Sequence, residues 1–148
     1  MMRAVFGVVF AGAVLAGCQQ AELAVTDASV LLPVISGRPG AAYFTVKGGA
    51  QLANLVAVSS PAVIRAEMHE MKDEGGMMTM APLKDVAIPA GGTVEFKSGG
   101  KHVMLFDISP SVRSGGTLPL RLSFADGKTI EVKAVARAVG DPTDHGAH

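Results

Sequence analysis

The segment from Glu67 to Met80 (EMHEMKDEGGMMTM) concentrates side chains that can bind a metal ion. It holds five of the eight methionines of the 148-residue chain and one of its four histidines. Thioether sulfur is soft and uncharged, and soft sulfur ligands select Cu(I), whereas zinc prefers cysteine, histidine or carboxylate. A methionine cluster is more often core packing, but charges and a diglycine are unusual in a core segment. We therefore interpret this segment as part of a copper site.

A second segment, KHVMLFDI at residues 101–108, pairs a histidine with a methionine. If it forms a strand, His102 and Met104 share one face, while Val103 and Leu105 share the other. Residues i and i+2 lie about 6.6 Å apart along a strand, so an imidazole and a thioether can converge on one ion. In IRAEMHEM, the same alternation places His69 with the polar residues. A lone histidine there would be a surface residue, but both histidines stand among methionines.

The segments that position these side chains are predicted to form β-strands. Apolar and polar residues alternate in AAYFTV (41–46), in GTVEFKS (92–98) and on both sides of Asp126-Gly127. Alternation on both sides of an Asp-Gly pair predicts a hairpin. Glycine-rich turns recur between these segments, and no long stretch has helical periodicity. The sequence therefore predicts an all-β sandwich or barrel.

The N-terminus carries the features of an export signal. Arg3 precedes an apolar run, 4–17, that is too short to span a bilayer. The run ends in LAGC, which resembles the lipobox of bacterial lipoproteins, with Cys18 as the lipidated first residue of the mature chain. The alternative is an ordinary signal peptide that is cleaved nearby and leaves a free thiol. Because no aspartate follows Cys18, the resemblance favours a lipid anchor in the outer membrane, with the protein facing the periplasm.

These boundaries divide the chain into four parts. We expect a lipoprotein signal peptide at 1–17, a lipid-anchored linker at 18–24, a copper-binding β-domain at 25–138 and a flexible tail at 139–148. The tail offers only His145 and His148 as possible ligands for Cu(II), which gives little support for a second metal site there.

Composition excludes several classes of function. Thirteen basic and thirteen acidic residues balance each other, and no basic run indicates a nucleic-acid partner. The single cysteine cannot form an intramolecular disulfide. Blue-copper sites need a cysteine thiolate beside two histidines, and here that cysteine belongs to the lipobox. No nucleophile elbow is present, so we do not expect an enzyme.

The spacing of the candidate ligands resembles a known signature. Ten residues separate His69 from Met80, twenty-one separate Met80 from His102, and one separates His102 from Met104. This spacing is similar to the H-x10-M-x21-H-x-M signature of the PCu(A)C family of periplasmic copper chaperones. The resemblance also covers AEMHEM, GGMMTM, IPAGGTVEF, GGKHVMLFDI and LPLRLSFADGKTIEV, over about residues 40 to 137.

The resemblance implies a cupredoxin-like Greek-key β-sandwich or barrel that binds Cu(I) through His69, Met80, His102 and Met104. Strand alternation puts Met78 on the face of Met80, which makes Met78 a candidate auxiliary ligand, and it turns Met77 away. Implied transfer partners are cytochrome c oxidase subunit II or a Sco-type thiol chaperone. We expect a monomer that contacts the membrane only through its lipid anchor. The alternatives are a copper-buffering or resistance lipoprotein, and a structural lipoprotein domain with no metal role.

Overall fold

Ten β-strands form the framework of the part of the chain that the computed structural model describes, Gly17 and residues 20–141. The strands follow in chain order as β1 (Ala24–Leu31), β2 (Gly40–Lys47), β3 (Ala53–Ser59), β4 (Val63–Glu74), β5 (Met77–Pro82), β6 (Val86–Ile88), β7 (Thr93–Phe96), β8 (Lys101–Ile108), β9 (Thr117–Phe124) and β10 (Thr129–Arg137). Within this part of the chain, no helix is long and apolar enough to cross a membrane.

The strands make one continuous sheet that curls around the core. Their order is β5-β4-β8-β7-β2-β1-β10-β9-β3-β6, with a further pairing of β8 to β2. Strands β3 and β4 lie near opposite edges of the sheet, yet they contact each other. The sheet therefore folds back on itself and encloses its apolar face, as in a β-sandwich. The expected all-β fold is confirmed.

The alternation read from the sequence gives the inner face of the sheet. In β2, Ala42, Phe44 and Val46 are buried. In β9 the buried residues are Leu118, Leu120, Leu122 and Phe124. Phe44 stacks on Phe96 of β7 with ring centroids 4.4 Å apart. Burial of these side chains supplies the main stabilising free energy of the fold.

The predicted hairpin at Asp126-Gly127 is present. Strands β9 and β10 pair antiparallel, and Phe124 and Lys128 close the turn by a backbone hydrogen bond of 2.9 Å. Gly127 has a φ of 88°, and the side chain of Asp126 accepts a hydrogen bond from the backbone N–H of Lys128. A glycine tolerates this left-handed conformation because it has no Cβ.

Strand β4 is the longest of the ten and has two antiparallel neighbours. Its first eight residues, 63–70, pair with β8, and its last six, 69–74, pair with β5. The link to β5 is the two-residue turn Gly75–Gly76, in which both glycines have positive φ, 66° and 87°. A two-residue turn with two positive φ angles is the tight hairpin connection that suits the twist of its strands. It fixes the register between β4 and β5.

Truncation of a core leucine should test this packing. Leu120 is fully buried, so Leu120→Ala should lower the free energy of unfolding by about 2–5 kcal/mol, because it removes buried surface and leaves a cavity. Leu52→Ala is the matched control. Because Leu52 is 71% exposed, this substitution should lower the free energy of unfolding by about 0.5 kcal/mol or less. Urea denaturation of the two variants measures both effects. Equal losses would contradict the core assignment.

Candidate metal centre

Two histidines lie opposite each other on neighbouring strands. His69 of β4 and His102 of β8 are register partners, and their ring centroids are 6.1 Å apart at an angle of 25°. Their neighbours Met68 and Val103 point into the core and are buried. Because side chains alternate along a strand, the buried neighbours hold both imidazoles on the other face of the sheet.

Methionines flank the histidine pair on both sides. Each strand carries the sequence His-x-Met, with Met71 two residues after His69 and Met104 two residues after His102. Because the strands run in opposite directions, Met71 and Met104 extend away from the histidine pair in opposite directions. Met104 lies opposite Glu67. The backbone N–H of Met71 donates to the carbonyl of Gly100, at 3.1 Å.

Strand β5 adds a further sulfur to the same face. Met80 is the register partner of Met71, and Met78 is the register partner of Asp73. Met78 and Met80 therefore share the face of the two histidines, while Met77, opposite Glu74, points to the other face. The structure thus places the four sequence-predicted ligands on one face of three adjacent strands.

Four of these side chains line one shallow, open depression of about 420 Å³. They are Met71, Met80, His102 and Met104, and His69 adjoins them beside His102. Tyr43 also lines the depression, and its apolar walls include Leu31, Leu32, Pro33, Val34 and Val139. Met80 is 47% exposed, so its sulfur stands at the surface of the site. A partner molecule can therefore reach the Met80 side chain from solvent.

A hydrogen bond orients His102. Its Nδ1–H donates to the carbonyl of Gly100 at 3.0 Å, and the same carbonyl accepts the backbone N–H of Met71. A carbonyl has two lone pairs, so it can accept both bonds. With the proton on Nδ1, the Nε2 atom of His102 carries a free lone pair. An outer hydrogen bond that sets the tautomer in this way is usual for metal-binding histidines.

A carboxylate orients His69. Its Nε2–H donates to Oε2 of Glu67 at 3.1 Å, and Oε1 of Glu67 accepts from Nε of Arg65 at 2.9 Å. The guanidinium of Arg65 in turn stacks over the ring of Phe106, 4.1 Å from its centroid. Nδ1 of His69 is buried and has no hydrogen-bond partner among the described residues. A buried acceptor without a donor is unfavourable by about 1–3 kcal/mol, and a metal ion would supply its missing partner.

The donor set at this face is two imidazole nitrogens and the methionine sulfurs. Among the residues that the structure describes, no group of three or more His, Cys, Asp or Glu side chains could hold a metal ion. The site therefore fits a soft cation such as Cu(I), which accepts thioether ligands. Cys18, His145 and His148, the other residues predicted to be modified or to bind metal, lie outside the described residues.

Sequence reasoning did not single out Met71, Glu67, Tyr43 or Gly100. The position of Met71 beside Met80 could have been predicted from the sequence. Counting outward from the Gly75–Gly76 turn pairs Glu74 with Met77 and, three pairs later, Met71 with Met80. Glu67 and Gly100 contact histidines only two residues away, but nothing in the local pattern distinguishes these contacts from ordinary strand neighbours. The place of Tyr43 depends on pairing between distant segments.

Comparison with known proteins assigns the chain to a family. The family model "LpqE-like", described as "Putative lipoprotein LpqE-like", matches residues 23–136. The chain belongs to the LpqE-like family. A curated relative in Leifsonia xyli subsp. xyli, "Putative lipoprotein Lxx21020", is 34% identical over 94 residues. This alignment covers 62% of the chain and 57% of the relative, so the chain spans little more than half of that relative's length.

Solved structures confirm the fold. DR1885 from Deinococcus radiodurans in its apo form is 29% identical, with a TM-score of 0.60, over 93% of this chain and 94% of that one. Its Cu(I) form is 30% identical, with a TM-score of 0.62, over 82% and 83%. The copper-bound PCuAC domain from PmoF2 is 18% identical, with a TM-score of 0.65, over 80% and 97%. The cupredoxin-like fold predicted from the sequence is therefore confirmed.

Tyr43 provides a spectroscopic test of the depression. Burial raises the pKa of Tyr43, and a hydrogen bond with the Ser98 side chain offsets part of that increase. The chain has one tyrosine and no tryptophan, so tyrosinate absorbance reports Tyr43 alone. We expect a higher titration midpoint in the folded protein than in the urea-denatured chain, which should ionise near pH 10, about the ordinary value.

The sign of the linked stability follows from that shift. The folded state disfavours ionised Tyr43. The resulting contribution to the free energy of unfolding is therefore fully present below the pKa of Tyr43 in the unfolded chain. It is lost as pH rises through the folded pKa. Tyr43→Phe, the control, should abolish the absorbance change. A folded midpoint at or below that of the denatured chain would contradict the burial of this phenol.

Proposed function

We propose that this protein is a Cu(I) chaperone that works outside the cytoplasm. The observation that supports the proposal most directly is the pairing of His69 with His102, which lines an open depression together with three methionines. The proposed ligands are His69, Met80, His102 and Met104. Copper is the cargo of this site, and no catalytic step is part of the proposal.

The ligand types favour Cu(I) over other ions. Thioethers are neutral and soft, so they bind Cu(I) well and add little affinity for zinc. Methionine also forms no disulfide, which suits a compartment where thiols oxidise. Similar structures support this choice: DR1885 was solved with Cu(I), and the PCuAC domain of PmoF2 was solved with copper.

The exposure of the site favours delivery over storage. Transfer requires that a partner's ligand reach the ion while the chaperone still holds it. Met80 is half exposed and lies at an open depression, so its sulfur can be replaced from solvent without unfolding of the core. A copper-buffering or resistance lipoprotein remains the second candidate, because the same ligands would serve it. Growth of a deletion strain at low and at high copper separates the two functions.

The proposed destination is the copper centre of cytochrome c oxidase, reached through subunit II or a Sco-type thiol chaperone. We further propose that Cys18 is lipidated and holds the domain at a bacterial membrane facing the periplasm, with the outer membrane favoured. The names of the family and of the Leifsonia xyli relative, both lipoproteins, support the anchor. The destination rests on the resemblance of the chain to copper chaperones of that pathway.

An anaerobic Cu(I) titration against a competing chelator tests the site. The domain without its first eighteen residues should bind one Cu(I), and Zn(II) should not displace it. Met80→Leu and Met104→Leu, which nearly conserve volume, should each lower the Cu(I) affinity by at least about tenfold, or about 1.4 kcal/mol. Met77→Leu is the matched control, because its side chain lies on the other face, and it should retain wild-type affinity.

The pH dependence tests the histidines in the same assay. A protonated imidazole cannot bind a metal ion, so the Cu(I) affinity should be lower in acid than at neutral pH. Replacing both His69 and His102 with glutamine should remove most of that dependence. Absence of Cu(I) binding, or preference for Zn(II), would refute the proposed function.

The lipid anchor has its own test. Cells that express the full chain should incorporate an alkyne fatty acid into the protein, and the protein should fractionate with membranes. Cys18→Ser should abolish both the label and the fractionation, whereas Cu(I) affinity of the purified domain should be unchanged, because Cys18 is not a proposed ligand. A mature chain with a free Cys18 thiol in the soluble fraction would contradict the anchor.

A further inference from the structure

We infer that Met71 is a third thioether ligand of the proposed copper site and holds the ion when Met80 is displaced. This inference rests on the proposed function. It concerns a residue outside the four-residue spacing motif, and it assigns a role in the transfer step.

Local symmetry carries the first step. His69 and His102 are register partners on antiparallel strands, and each is followed two residues later by a methionine. An approximate two-fold axis through the histidine pair therefore exchanges Met71 with Met104. Diagonal neighbours in an antiparallel pair lie about 7–8 Å apart, within reach of a long side chain. Met71 is therefore the diagonal neighbour of His102, just as Met104 is the diagonal neighbour of His69.

The environment of Met71 carries the second step. Met71 and Met104 both line the depression, together with Met80 and His102. The backbone of Met71 bonds to the carbonyl of Gly100, which also orients His102. Gly100 has no side chain, so nothing from that position covers the face between Met71 and His102. The depression that both residues line therefore connects the Met71 side chain with His102.

Met71 is a better substitute for Met80 than Met78 is. Met71 is the register partner of Met80, whereas Met78 pairs with Asp73, two residues farther from the histidines. Met78 is 57% exposed and is not among the residues that line the depression. The structure thus favours Met71, on β4, over the auxiliary ligand that strand alternation alone indicated.

A third sulfur explains how the ion could leave in steps. The bond from Met80 to Cu(I) breaks as Met71 forms a bond in its place, so the number of ligands is unchanged. A partner's sulfur or nitrogen then bonds to the ion as the bond from a second protein ligand breaks. Copper stays Cu(I) throughout, so the exchange needs neither an oxidant nor a reductant. Met80, at the surface, is the ligand that leaves first, while Met71 and the histidine pair retain the ion until further partner ligands arrive.

Methionine methyl NMR tests this directly. The domain would be labelled with [13C-methyl]methionine and titrated anaerobically with Cu(I), with each signal assigned by its Met→Leu variant. We expect the signals of Met71, Met80 and Met104 to shift with one equivalent, and those of Met77 and Met78 to stay. In Met80→Leu, the shift of Met71 should increase, because it then bonds to the ion continuously.

Affinities provide the second readout. Met71→Leu alone should weaken Cu(I) binding less than Met80→Leu does. The double variant should lose more than the product of the two single effects, because each sulfur substitutes for the other. Met78→Leu in the Met80→Leu background is the matched control and should add no further loss. Thermal melts without copper should be similar for all variants.

The outcomes separate this inference from the proposed function. Shifts of Met80 and Met104 without a shift of Met71, in the wild type and in Met80→Leu, would overturn the role of Met71 and leave the copper site intact. An additional loss from Met78→Leu, with none from Met71→Leu, would assign the reserve role to Met78 instead. If no methionine signal responds to Cu(I), the proposed function itself fails.

Discussion

The register between β4 and β8 is the constraint on which the rest of the site depends. It sets His69 opposite His102 and so brings together two segments that are distant along the chain. A slip of one residue in either strand would turn its histidine toward the core. Met68, Val103 and Leu105, buried on the opposite face, oppose that slip because it would expose them. Burial of the core thus places the two imidazoles before any ion binds.

Polar contacts orient the two imidazoles that the strand register brings together. The carboxylate of Glu67 and the carbonyl of Gly100 each accept one N–H from a histidine, which leaves one ring nitrogen of each histidine with a free lone pair. The chain from Phe106 through Arg65 to Glu67 limits the rotation of His69. These contacts lie within β4, between β4 and β8, or between β8 and Gly100, the residue before it. These hydrogen bonds hold each imidazole in one tautomer before an ion binds, which lowers the entropy cost of binding.

The β4–β5 hairpin differs from the rest of the framework in its packing. Beyond Met71, whose backbone N–H donates to the carbonyl of Gly100, strand β4 pairs only with β5, and most residues between 72 and 80 are exposed. Few buried contacts oppose a displacement of the hairpin, so its movement would cost the core little free energy. The hairpin carries Met80, whereas Met104 lies on β8, between β4 and β2. One side of the site is thus rigid, and the other side can yield to a partner.

The sequence alone was sufficient to predict the local features. These are the buried faces of β2, β8 and β9, the turn at Asp126-Gly127, and the strand face on which each methionine lies. Each of these depends on side-chain alternation or on turn chemistry within a few residues. The motif spacing also indicated the four candidate ligands, through resemblance to a family. Only the tertiary structure decided that His69 faces His102, that Glu67 and Gly100 orient them, and that Met71 lines the depression. Pairing between β4 and β8 depends on which faces are buried together, and that follows from the packing of the whole sheet and not from any local pattern.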